Sequence, residues 1–170
     1  DERLFHPSKN QLPVTLLNSV RGDVRKKELQ EVFHLGWWHE FDLVRNEYNK
    51  LSEFIAKSSV HSIVSLSNVH GDFGSENILL DSNGSFKVID WERSHSEGPF
   101  FVDEVAFWLG RNHKEIKRNA QDVVSRFYSS FKEVPKIDLG LALCFLVGAN
   151  FDLATVISKD WNKDNEDTFR

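Results

Sequence analysis

Apolar positions along the chain change their spacing twice. Phe41, Val44, Tyr48, Leu51 and Ile55 follow one another at intervals of three, four, three and four residues, the repeat that lines one face of an α-helix. Asp42, Arg45, Glu47, Asn49 and Lys50 fall on the opposite side. Upstream of this helix, Asp23 is a favoured N-cap and predicts another helix running to about His34, so that 23–57 holds two helices. Residues 1–22 contain Pro7 and Pro13, show no clean period, and predict an irregular lead-in. The period then shortens. The runs Asn77–Leu80 and Phe86–Ile89 are short and apolar, and Asp81-Ser82-Asn83-Gly84-Ser85 separates them. Asn-Gly tolerates positive φ at both residues, so a β-hairpin is expected there.

From Asp103 the helical repeat returns. Val105, Ala106 and Leu109 fit one helix, and Ala120, Val123, Val124, Phe127, Tyr128 and Phe131 another. Pro135 breaks the pattern. A third, strongly apolar helix is expected from Ile137 to about Ser158, with a polar tail over 159–170. Leu139–Ile157 is about long enough to span a membrane. It contains Asn150, Asp152 and two glycines, and reads instead as a buried core helix. The fold class expected is α+β, mainly helical, as a single lobe over 1–170 with one central hairpin.

Composition narrows the function classes. The net charge of −5 lacks the basic excess of a nucleic-acid binder. Cys144 is the single cysteine, which excludes an internal disulfide framework and suits a reducing, cytoplasmic setting. No basic segment followed by an apolar run opens the chain, and it contains no methionine, so a piece of a longer protein is expected. Arg21-Gly22-Asp23 spells an adhesion tripeptide, but Asp23 as a helix cap is the plainer reading.

The chemistry concentrates in "NVHGDFGSENILLDSNGSFKVIDWE", residues 68–92. The hairpin brings the start of one strand beside the end of the other, so Asn77 and Asp90 can share one site. One neutral and one anionic oxygen ligand suit Mg²⁺ when phosphate oxygens and waters complete its shell. Asp72, in the loop before the first strand, is then free to orient a hydroxyl and accept its proton. Glu92 and His95 stand near enough to meet a substrate. The adjacent Trp37 and Trp38 read as core or rim packing, with an aromatic wall for a cation or a sugar face as the alternative. Acidic residues elsewhere in the lobe would suit an amine.

The order His70-Gly71-Asp72, then Asn77, then Asp90 matches the catalytic and metal loops of eukaryotic-type kinases, with Gly71 in place of an arginine and Asp90-Trp91-Glu92 in place of D-F-G. H-G-D with I-D-W-E resembles the aminoglycoside phosphotransferase-like family of small-molecule kinases, which includes choline kinase-type enzymes. The segment "IDWERSHSEGPFFVDEVAFW" is similar to the family's stretch in which Gly-Pro and a further Asp follow the metal Asp. The resemblance implies the C-terminal lobe of a kinase-like fold, with the hairpin carrying the catalytic and metal loops. It implies Asp72 as the catalytic residue, His70 as a packing residue of the loop, Asp103 as its support, and Leu79 and Ile89 as an apolar floor under adenine. It also implies ATP and Mg²⁺ as cofactors and a small-molecule hydroxyl as substrate, with no nucleic acid and no membrane involved.

Such a kinase needs a nucleotide lobe, a sheet of about five strands with a phosphate loop and a lysine. Residues before Asp72 predict two helices instead, and Lys9, Lys26 and Lys27 are poor candidates for that lysine. The expectation is therefore a lobe whose nucleotide lobe belongs to the same polypeptide, inactive when isolated. Two other classes compete: a non-catalytic kinase-like scaffold or regulatory module, and a metal-dependent phosphoesterase using His70, Asp72 and Asp90 as ligands.

Overall fold

The computed structural model describes residues 3–4 and 14–161. The tail beyond 161 and most of the lead-in, with Pro7, Lys9 and Pro13, lie outside the described residues. The described chain is mainly helical, with two small antiparallel sheets. In chain order it runs β1 (Arg3–Leu4), α1 (Val14–Arg21), β2 (Arg25–Glu28), α2 (Leu29–Val32), α3 (Gly36–Val44), α4 (Asn49–Lys57) and β3 (Ile63–Val69). The hairpin strands β4 (Ile78–Leu80) and β5 (Phe86–Val88) follow, then β6 (His95–Pro99). The rest is helical: α5 (Val102–Arg111), α6 (His113–Arg118), α7 (Ala120–Ser130), α8 (Lys136–Gly148) and α9 (Asp152–Lys159).

The upstream half departs from expectation. α1 occupies the end of the supposedly irregular lead-in. The helix expected from Asp23 to His34 is a strand followed by one helical turn, because β2 pairs antiparallel along β3, with Arg25 opposite Leu66 and Glu28 opposite Ile63. Lys26 and Lys27 therefore sit on a strand, where Lys26 Nζ donates to Ser65 Oγ at 2.6 Å and Lys27 pairs with Glu97 at 3.1 Å. Arg21 is buried over the Phe100 ring and pairs with Glu104, so the Arg-Gly-Asp tripeptide is not displayed.

The 41–55 repeat spans two helices. A 3-10 turn at Arg45–Glu47 and a non-helical Tyr48 (φ −125°, ψ 50°) separate α3 from α4. Ser52 closes the break, donating from Oγ to the Arg45 carbonyl and from N–H to the Tyr48 carbonyl. Phe41, Tyr48, Leu51 and Ile55 still reach one core, which is why the spacing survived the break. The expected helix 137–158 also divides. Asn150 takes a left-handed φ of 57°, and the Phe151 N–H bonds back to the Leu146 carbonyl, ending α8 before α9 begins.

α8 is buried on nearly every side, from Asp138 to Val147. It packs along α3, where Gly148 permits close contact: a Cβ there would lie 2.8 Å from the Phe41 nitrogen. The apolar length of α8 therefore serves the core, and among the described residues no helix is long and apolar enough to cross a membrane. Trp37 and Trp38 belong to this core. The Trp37 indole donates to the Glu97 carbonyl at 2.9 Å, and Trp38 packs on Phe33 and Phe41.

At its first turn α8 carries Asp138, whose carboxylate accepts from the Ser65 N–H at 2.8 Å and joins the helix to β3. Burial raises the Asp138 carboxyl above its ordinary range, against the Ser65 bonds and the nearby Lys26. Asp138→Ala strands a buried N–H and should cost about 1–3 kcal/mol in a urea titration. A carboxyl raised by folding binds more protons in the native state, so its contribution is largest at low pH and fades as pH rises through the raised value. The stability advantage of the native chain over Asp138→Asn should accordingly shrink between acidic and neutral pH; an advantage that grows with pH contradicts this account.

Candidate functional site

The loop carrying His70, Gly71 and Asp72 begins where β3 ends. β3 pairs with β6 on its far edge, and its register shifts between Ser67 and Val69. Gly98 makes room for that approach, since a Cβ would lie 2.2 Å from Val69 Cγ2. The Gly-Pro pair is thus the end of a strand, opposite Ser67 and Leu66.

From this strand the chain enters a loop held from below. Asp103, fully buried near the start of α5, accepts the His70 N–H on one carboxylate oxygen and the Gly71 N–H on the other, both at 2.9 Å. Burial pushes the Asp103 carboxyl up, opposed first by these two amides and then by the charges of His70 and Arg21. Arg21 itself is lowered to about 10 by burial, with Asp103 pulling the other way. His70 is buried, and its Nε2 lies 2.8 Å from the Ile89 carbonyl oxygen. Its ring packs edge-on to Phe73 and Trp91.

Gly71 adopts φ +82°, and a Cβ would lie 2.3 Å from the Arg93 carbonyl oxygen. The turn at Trp91–Ser94 packs directly against it, so no arginine fits at this position, where eukaryotic-type kinases carry one. Phe73 is the second anchor. It is fully buried in a small cluster with Leu17, Val20, Ile78 and Phe107, beneath the hairpin. Asp72 sits between these two anchors and is half-exposed.

The hairpin pairs Ile78 with Val88 and Leu80 with Phe86, closed by the Asp81 N–H to the Ser85 carbonyl. At its open end the Ile89 N–H bonds to the Asn77 carbonyl at 3.0 Å, which sets Asp90 next to Asn77. Asn77 is buried, and its Nδ2 donates to the Asp72 carbonyl at 2.8 Å. That bond orients the amide and leaves its Oδ1 as an unused acceptor. Asp90 is exposed and left-handed, with φ 63°. Backbone of that kind is uncommon outside glycine and concentrates at functional sites. Burial raises the Asp72 carboxyl, Arg93 lowers it, and Glu76 and Asp90 raise it further, so Asp72 lies within electrostatic reach of all three.

Residues 72, 77 and 90 are thus brought together at the mouth of the ribbon. Asn77 Oδ1 and the Asp90 carboxylate are hard oxygen donors of the kind Mg²⁺ takes. Among the described residues no three His, Cys, Asp or Glu side chains form a self-contained metal cage. His70, turned to the Ile89 carbonyl, does not offer the third ligand a phosphoesterase reading would require. Strand alternation puts Leu79 and Ile89 on the face opposite Ile78 and Val88, and both are half-buried. Sequence reasoning had no signal for Phe73 or Arg93, whose positions depend on the turn after Asp90.

The two amides held by Asp103 are the test of this arrangement. Asp103→Ala leaves both without a partner and should destabilise the chain by roughly 2 kcal/mol or more. Hydrogen exchange at His70 and Gly71 should accelerate well beyond the global change; unaltered protection at these two amides contradicts the clamp.

No protein-family model matches the chain, and no solved structure matches it. Over 102 residues it is 31% identical to the RIO-type serine/threonine-protein kinase Rio2 of Methanocaldococcus jannaschii, an alignment covering 52% of this chain and 34% of that protein. The chain therefore spans about a third of the length of this curated relative. The likeness is to an atypical protein kinase and supports a kinase-like lobe in the broad sense. The narrower resemblance to aminoglycoside phosphotransferase-like enzymes rests on the motif alone.

Proposed function

We propose that the chain is the C-terminal lobe of a kinase that transfers the γ-phosphate of ATP to the hydroxyl of a small molecule. The convergence of Asp72, Asn77 and Asp90 on one open edge, over a loop clamped by Asp103, is the observation that carries this reading. Asp72 orients the acceptor hydroxyl and takes its proton as the oxygen–phosphorus bond forms and the bond from that phosphorus to the ADP oxygen breaks. Asn77 and Asp90 would hold Mg²⁺, which when bound neutralises charge on the nucleotide phosphates. His70 and Asp103 fix the loop without touching the reacting atoms. Leu79 and Ile89 offer apolar surface on the ribbon's outer face for the adenine.

The described residues contain two three-stranded sheets and no five-stranded nucleotide lobe. Activity would thus require such a lobe from the same polypeptide. A second acceptor, a serine or threonine side chain of a protein, is favoured by the name of the RIO-type relative.

The test uses the full-length protein and ADP release. Asp72→Asn should lower turnover by about 10²–10⁴-fold while leaving the thermal unfolding midpoint nearly unchanged. Asn77→Ala and Asp90→Ala should raise the Mg²⁺ concentration needed for half-maximal rate. Native-like turnover in Asp72→Asn removes the residue from this role. The 170-residue chain alone should show little or no ATP turnover, and robust phosphorylation by it refutes the need for a second lobe.

A further inference from the structure

Beside the catalytic loop lies a cavity of about 440 Å³, in the range of small-molecule sites. Glu40 and Val44 come to it from α3, Phe145 from α8, and Glu92, Arg93 and His95 from the turn and strand that follow Asp90. Glu40, Glu92, Arg93 and His95 make no side-chain hydrogen bond or ion pair with another described residue. Two glutamates, an arginine and a histidine thus line one space with no side-chain hydrogen bond or ion pair among the described residues. Polar groups that fold stability does not employ are available to a ligand.

The cavity adjoins the reacting edge. The Arg93 carbonyl packs against Gly71, the residue before Asp72, and Arg93 is close enough to act on the Asp72 carboxylate. Arg93 thus links the cavity wall to the loop that carries Asp72.

We propose that this cavity is the acceptor pocket and that it takes a small alcohol carrying both an ammonium and a carboxylate group, an inference that rests on the kinase reading above. Glu40 and Glu92 accept from the ammonium. Arg93, whose planar fork matches a carboxylate, binds the opposite charge. Val44 and Phe145, which meets His95 edge-on at 5.4 Å, cover the carbon chain. A polycation would bring like charge against Arg93, and an anion without an amine would do so against the two glutamates. A quaternary ammonium would want several aromatic faces, and among the described residues Phe145 is the aromatic side chain that lines the space, Trp37 and Trp38 being packed in the core. A serine within a peptide carries neither free charge on its backbone.

Three probes isolate the two charges: 5-hydroxy-L-norvaline, its counterpart without the carboxylate (4-aminobutan-1-ol), and its counterpart without the amine (5-hydroxypentanoate). Binding to the full-length protein is measured by calorimetry, and phosphorylation by ADP release with ATP. Loss of one charge-assisted contact should weaken binding roughly tenfold or more, so the zwitterion should bind at least that much tighter than either counterpart. Arg93→Met should reduce the zwitterion to the level of the amino alcohol, and Glu92→Gln, at an exposed position, should bring it toward the hydroxy acid. Equal binding of a singly charged probe, no binding of any probe, or selectivity unchanged in both variants overturns the proposal. Calorimetric binding of the zwitterion without ADP release would overturn the assignment of the cavity as the acceptor pocket, whereas loss of all ATP turnover with every acceptor would sink the kinase reading instead. ADP release that saturates with choline or the amino alcohol, but not the zwitterion, would keep the kinase reading and sink this one.

Discussion

The carboxylate of Asp103 holds two backbone amides that nothing else in the fold satisfies. His70 and Gly71 leave the sheet at the end of β3 with their N–H groups pointing inward. In a dry interior an unpaired amide is expensive, and a buried carboxylate is expensive too. Each offsets the cost of the other. The Arg21–Glu104 pair lies beside them, with Arg21 within electrostatic reach of Asp103. The geometry of Asp72 follows from this, because the loop can take only the path on which both amides reach the acid.

Packing sets the remaining degrees of freedom. Phe73 drops into the cluster under the hairpin, which turns Asp72 outward on the other side of the chain. Gly71 lets the Arg93 turn close down on the loop, at a distance that any Cβ would prevent. A side chain at position 71 and this course of the Arg93 backbone therefore exclude each other. Asn77 ties the loop to the ribbon through the Asp72 carbonyl, so the 70–73 loop and the open end of the hairpin are joined directly. The likeness to a RIO-type kinase supports a kinase-like lobe in the broad sense.

Much of the downstream half was legible in the residues. Asn83-Gly84 between two apolar runs has few structural outlets besides a hairpin, and Asp72, Asn77 and Asp90 flank that hairpin in chain order. The upstream half was not. β2 reads Arg-Lys-Lys-Glu, with no alternation to mark a strand, and becomes one only because β3 offers a partner. β3 itself did carry a signal, with Val64 and Leu66 alternating against Ser65 and Ser67. Both serines are nevertheless buried: α8 brings Asp138 onto Ser65, and the Ser67 hydroxyl donates to the Asn68 carbonyl. The two helix breaks, at Tyr48 and Asn150, contain no proline, and the apolar spacing runs through both.

Sequence by itself determined the hairpin, the order of polar residues around it, and the apolar faces of the later helices, because turn chemistry and side-chain period are local properties. Tertiary structure decided where those residues meet. Gly71 against Arg93, Asp103 beneath His70, and Glu40 and Glu92 on one cavity wall bring together segments far apart in the chain, and their placement depends on how α3, α5 and α8 pack. No local rule encodes such distances; they are set by the close packing of the core.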